Sequence, residues 1–127
     1  MTYLGKPTVT GSVIYWDGTL FTTVPLYPST YTLTSSITLD DTYSNSTIFA
    51  NTDSSALTLT LSSSAANNWN ALIVREGQYS LTVSGSGGLA LSGSVAVTGS
   101  VVIGVDNGAI TVIKRSATKA WTTGVIS

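Results

Sequence analysis

The side chains able to do chemistry in this sequence are few. Its 127 residues include six Asp or Glu, five Lys or Arg, no His and no Cys. Without His the chain lacks the usual general acid–base near neutral pH and the commonest metal ligand. Without Cys it has neither disulfides nor thiolate metal sites, and its redox compartment stays open. Asp40, Asp41, Asn45 and Asp53 gather in LDDTYSNSTIFANTD, and such oxygen donors could ring a Ca²⁺. The run lacks the alternating ligands and bidentate Glu of an EF-hand loop, and Asx residues between strands form turns, so a turn is the expectation. A glycosidase pair needs one carboxyl kept protonated beside a second, which acids lying mostly at turns do not supply.

The remaining motifs carry little chemistry. SATK at residues 116–119 has the S-x-x-K spacing of penicillin-binding enzymes, but the companion S-D-N and K-T-G elements are missing and a solvated turn explains it. GSGG at residues 85–88 is followed by neither Lys-Ser/Thr nor a helix, so it cradles no phosphate. NST at Asn45 fits a glycosylation acceptor only in a eukaryotic secretory host. No catalytic residue, metal ligand or cofactor site is assigned, and a non-enzymatic protein is expected.

Aromatic side chains offer more. Trp16, Trp69 and Trp121, with Tyr15, Tyr27, Tyr31 and Tyr43, could stack on the sugar rings of a host glycan. The competing reading is that they anchor a core or an interface. Arg75 and Glu76 read as a rim pair, and Lys114, Arg115 and Lys119 as a minor basic patch. With a net charge of −1 there is no field for nucleic acid or an anionic membrane surface.

These residues must be positioned by a chain of unusual composition. Charged residues are 9% of it, where an ordinary soluble domain has about 25%, and roughly a third of it is Ser or Thr. Polarity is thus supplied by hydroxyls, which suits a surface lying against other protein copies. No segment has the 18 or so apolar residues of a membrane span. The start, MTYLGKPTVTG, lacks the basic and apolar regions of a signal peptide, and is expected to begin a complete gene product that does not use the usual export route.

Period-two alternation and abundant β-branched residues predict an all-β chain. About nine short strands at turn-to-turn spacing predict a β-sandwich or jelly-roll-like barrel, in residues 29–127. Residues 1–28 read as an N-terminal hairpin and arm, with Pro25 and Pro28 at the boundary. Asp17-Gly18 between apolar runs predicts a two-residue turn, which would set Trp16 opposite Thr19 and Ile14 opposite Phe21. Tyr31, Leu33, Ile37 and Leu39 share one face, and Leu57, Leu59 and Leu61 point inward. Residues 62–71 read as a loop with room for one helical turn behind a Ser cap. LIVREG is a continuously apolar strand ending at Glu76-Gly77, and Asp106-Asn107-Gly108 is a second hairpin turn, joining VVIGV to AITVIKR.

From Gly88 onward an alternating stretch carries no charge before Asp106, with glycines at Gly87, Gly93 and Gly99. Val95, Val97, Val101 and Ile103 would line its apolar face, with Gly93 and Gly99 marking close backbone approach or a bend. These six residues are the candidate assembly interface. LSGSV and two copies of VTGSV form a small repeat, too short for a solenoid.

The order of elements, from YTLTSSITLDD through STIFANTDSSALTLTLSSSAANNWNALIVREGQYSLTVSG to AITVIKRSATKAW, resembles β-structured modules of bacteriophage tail fibres and capsid decoration proteins. LALSGSVAVTGS looks like the "itltGavtGs" repeats of such proteins. TLSSS stands where those modules have a proline after the leucine strand, so that turn differs. The resemblance covers residues 31–121 and implies a virion structural protein, commonly a homotrimer, assembled in the host cytoplasm. A chain this short suits capsid decoration, with the major capsid protein or another virion protein as partner. A short tail or head fibre with an adhesin role is the alternative, and a carbohydrate-binding module a third reading. In the decoration reading Tyr3, Leu4, Trp16 and Tyr27 are candidate docking residues of the N-terminal arm.

Overall fold

Threonine-rich alternation places each strand from Ser29 onward between a core and an outer surface, and the chain repeatedly crosses from one sheet to the other. The computed structural model describes residues 29–127 and, before them, the backbone of two strands. Those two, β1 (Ser12–Trp16) and β2 (Phe21–Pro25), pair antiparallel. The expected hairpin is there, but Trp16 faces Phe21 and Ile14 faces Thr23. The register is therefore shifted by two residues from the one a turn at Asp17-Gly18 would set, and residues 17–20 lie outside the described residues. Tyr3, Leu4 and Tyr27 lie outside the described residues, as does the side chain of Trp16.

From Ser29 to Gly85 the chain winds. β3 (Ser29–Leu33), β5 (Ser46–Asn51) and β7 (Asn70–Glu76) lie parallel in one sheet, while the intervening β4 (Ile37–Leu39), β6 (Leu57–Leu61) and β8 (Leu81–Gly85) lie parallel in the other. Each turn of the winding is one strand in each sheet. Among the described residues a single 3-10 turn, Asp41–Tyr43, sits at one crossing with Asp40 as its cap.

The rest of the chain closes both sheets. β9 (Ala90–Gly93) pairs parallel with β12 (Lys119–Val125), β10 (Val101–Ile103) antiparallel with β8, and β11 (Ala109–Lys114) lies antiparallel between β7 and β12. The result is an all-β sandwich. One sheet has six strands in the order β3-β5-β7-β11-β12-β9, the other four in the order β10-β8-β6-β4.

Inward residues stack in ladders across the strands. Leu57, Leu81 and Ile103 form one row of the four-stranded sheet, with Leu59, Val83 and Val101 beside it. Ile48, Ile73 and Ile110 face them from the six-stranded sheet, and all nine are buried in one core. Fully burying such a side chain contributes about 1.5–3 kcal/mol, so these rows fix which face of each strand points in. Tyr31, Leu33, Ile37 and Leu39 do share the inner side, although the chain changes sheets between Leu33 and Ile37.

Several loops differ from expectation. Residues 62–69 form successive turns, Ala65 N–H donating to Ser62 O and Trp69 N–H to Ala66 O, with no helix. Asp106-Asn107-Gly108 is a turn, with Asn107 at φ 62° and Gly108 N–H donating to Val105 O. It joins β10 to β11 across the two sheets, so it is not a hairpin turn. The LSGSV and VTGSV tokens do not mark the winding; its turns instead repeat an apolar-Thr-apolar triplet, Ile37-Thr38-Leu39 pairing with Leu59-Thr60-Leu61 and Leu57-Thr58-Leu59 with Leu81-Thr82-Val83.

Candidate functional site

The carboxylates hold turns. Asp40 Oδ1 accepts from Thr42 N–H at 2.9 Å, Asp41 Oδ1 from Ala66 N–H at 2.8 Å, and Asp106 Oδ1 from Gly77 N–H at 2.9 Å. Asn51, two residues before Asp53, caps its backbone in the same way. Among the described residues no three His, Cys, Asp or Glu side chains come together as a metal site. Ser116 and Lys119 belong to the β11–β12 turn, where Ser116 N–H donates to Lys119 O.

The cations divide into two kinds. Arg75 is no rim partner of Glu76: it is only 5% exposed and one guanidinium nitrogen donates to Ile103 O at 3.4 Å. Its Nε has no hydrogen-bond partner among the described residues. Lys114 likewise leaves the expected basic patch, being buried with its ammonium donating to Asn67 Oδ1 at 3.3 Å. Strand alternation explains both. Arg75 continues the inward series Ala71, Ile73, and Lys114 continues Ile110, Val112. Each is the last inward position of its strand, and because β7 and β11 run antiparallel the two side chains plug opposite ends of the sandwich. Arg115 and Lys119 are the exposed cations among the described residues.

The aromatic residues divide too. Trp69 is buried, and its indole N–H donates to Asp40 O at 2.8 Å. It is a core anchor. Tyr31 and Tyr43 pack edge to face with centroids 4.8 Å apart. Trp121 instead points out of the six-stranded sheet and is 41% exposed.

That outer face is apolar and hydroxylic. One row across it reads Thr32, Phe49, Val74, Ala109, Val125, and the next Thr30, Thr47, Leu72, Thr111, Thr123. Leu72 is 40% and Val125 64% exposed. Its charged positions, Glu76 and Lys119, are strand ends.

At the end of the face marked by Lys119, an open depression of about 510 Å³ is lined by Asn68, Ile113, Arg115 and Trp121. Ile113 is the cross-strand partner of Trp121, so a β-branched side chain supports the indole from β11. Asn68 holds a left-handed backbone at φ 71°, which Asn tolerates better than most residues. Its N–H donates to Lys114 O at 2.8 Å and its carbonyl accepts from Asn70 Nδ2 at 3.0 Å. Arg115 is set by the turn, its N–H donating to Lys119 O at 2.8 Å. Sequence had singled out Trp121, Arg115 and Lys119 separately. Asn68 was missed, because only the β6–β7 loop brings it to this end.

The six candidate interface residues do not form one face. Val101 and Ile103 point into the chain's own core and are not available to a partner. Val95 packs partly against that core. Val97 is 72% exposed at a tight turn, where Val97 and Ser100 exchange both backbone hydrogen bonds around Thr98 (φ 53°) and Gly99 (φ 83°). The alternating stretch therefore breaks between β9 and β10. Gly93 does mark a close backbone approach, since a Cβ there would overlap the Thr122 carbonyl; Gly99 serves the turn.

No protein-family model matches the sequence, and no curated protein matches it.

Proposed function

We propose that this is a non-enzymatic structural protein of a bacteriophage particle, a decoration protein that packs as a homotrimer on the head. The observation that carries the reading is the outer face of the six-stranded sheet, where Phe49, Leu72, Val74 and Val125 lie among threonines with charge only at strand ends. Burying such a face against another protein strands no charge away from water, which would otherwise cost several kcal/mol. The resemblance of residues 31–121 to phage decoration and fibre modules supports the particle as the setting.

A second reading, a short fibre, is favoured by the winding. β3 and β4, the first strands of the winding, are both sheet edges, and a wound sheet pair is a form that extends by adding turns.

The test is mass in solution together with binding to undecorated heads. A trimer that binds heads supports decoration, and a trimer that binds only tail or fibre components supports the second reading. A monomer at high micromolar concentration that binds neither refutes both.

A further inference from the structure

Two exposed cations flank an outward indole at one end of the sandwich. Arg115 lines the depression with Trp121, and Lys119 is two residues before Trp121 on the outward row of β12. The other described cations, Arg75 and Lys114, are buried. The exposed positive charge of the described residues is therefore concentrated beside one exposed aromatic ring, on a protein whose net charge is −1. Nothing in the fold requires this, since neither Arg115 nor Trp121 is needed to fill the core.

We propose that the depression binds an acidic sugar, a pyranose carrying a carboxylate. Each lining group matches one part of such a ligand. A pyranose has a face of C–H bonds that lies flat on an indole, and Trp121, supported by Ile113, supplies the platform. Its carboxylate meets the guanidinium of Arg115, a fork that matches two carboxylate oxygens, with Lys119 adding positive potential. Its ring hydroxyls need a group that both donates and accepts, and the amide of Asn68 does both. The tied backbone of Asn68 keeps it at the rim, so little ordering is required on binding.

A nucleic-acid strand fits less well. Two cations neutralise few phosphates, and binding to a phosphate backbone scales with the number neutralised.

The inference does not rest on the virion reading. Trp121 shares the outer face with that packing surface, since the row Asn70, Ile113, Trp121 adjoins the row Leu72, Thr111, Thr123, but it marks one end of the face, about 13 Å along β12 from Val125.

The test is calorimetric titration of the full chain with a galacturonic acid trisaccharide, a neutral galactose trisaccharide and a short single-stranded DNA. The uronate is expected to bind with Kd about 1 mM or tighter and the neutral sugar at least about tenfold more weakly. Trp121→Ala and Arg115→Gln should each weaken uronate binding by about tenfold or more. Circular dichroism and the thermal midpoint should stay unchanged, which separates loss of the site from loss of the fold. Equal binding of the neutral sugar, full binding by either variant, tighter binding of the DNA, or no binding by any ligand would overturn the proposal. Oligomeric mass, read on the same samples, reports separately on the packing face.

Discussion

The two sheets share a core but present different surfaces. Outside the four-stranded sheet stand Thr38, Thr58, Thr60, Thr82 and Ser84, with Val102 on its edge strand. Outside the six-stranded sheet, similar threonine rows carry Phe49, Leu72, Val74, Ile113, Trp121 and Val125. Both surfaces are poor in charge, so composition alone does not distinguish them. A hydroxyl keeps its hydrogen bonds to water at no cost, whereas a contiguous apolar patch on a soluble protein marks a surface that meets something else. The low charge content therefore has two origins, a solvated hydroxyl face and an apolar face, the latter being the surface proposed above to meet a partner.

The largest expected effect comes from the inner side, which both sheets need. Val101→Asp would place an unpaired carboxylate in the core and should abolish folding, since an uncompensated buried charge costs several kcal/mol. Val97→Asp, four residues earlier at an exposed turn, should shift stability by no more than about 0.5 kcal/mol. Urea denaturation of the pair checks this. Equal damage would mean that Val97 is covered, and the comparison would have to include the β9–β10 turn as a third surface.

Next in size is the contrast between the outer faces. Leu72→Lys with Val125→Lys should dissociate the proposed trimer, while Thr60→Lys on the hydroxyl face should leave its mass unchanged. Sedimentation equilibrium reads both variants, and thermal midpoints show whether the subunits remain folded. If Thr60→Lys dissociates the assembly and the double variant does not, the roles of the two sheets are reversed.

Part of this was legible in the sequence. Alternation with β-branched residues gave the all-β sandwich and the inward Leu57, Leu59 and Leu61, because burial acts on each strand separately. The parallel winding was not legible. Alternation says which face of a strand is buried but not which strand lies beside it, and the crossing at residues 34–36 has neither Gly nor Pro to announce it. Arg75 and Lys114 were misplaced for the opposite reason. Their charge argues for solvent, while their position on the inward beat of their strands argues for the core. The Trp121 depression was half visible: its indole and cations are close in sequence, but Asn68 arrives from more than forty residues away.

The buried cations sharpen the comparison at the two ends of the core. Lys114→Ala should destabilise by about 2–4 kcal/mol, since it leaves a gap and removes the partner of Asn67. Lys114→Met, which keeps the stem and removes the charge, should be neutral or stabilising by about 1 kcal/mol, as replacement of buried charges by apolar residues often is. Denaturant midpoints of the two variants decide. If Met is as damaging as Ala, the ammonium is required where it sits and Lys114 is more than a plug.

The smallest expected effect tests why the strand breaks between the two sheets. Thr98 and Gly99 both have positive φ, the geometry of a type I′ turn, which favours Asn-Gly. Threonine is β-branched and poorly suited to φ 53°. Neither its exposed side chain nor its neighbours explain its presence, so the conformation is imposed by the hydrogen-bonded pair Val97 and Ser100 on either side. Thr98→Asn should therefore stabilise the protein by about 0.5–1 kcal/mol without touching the core. Thr98→Gly should gain less, because it also loosens the unfolded chain. A gain from Asn would show that β9 and β10 are separated by a turn with its own preference. No gain, or a loss, would mean that the hydroxyl of Thr98 is used, and the exposed corner formed with Val97 would then join the surfaces to be tested against the six-stranded sheet.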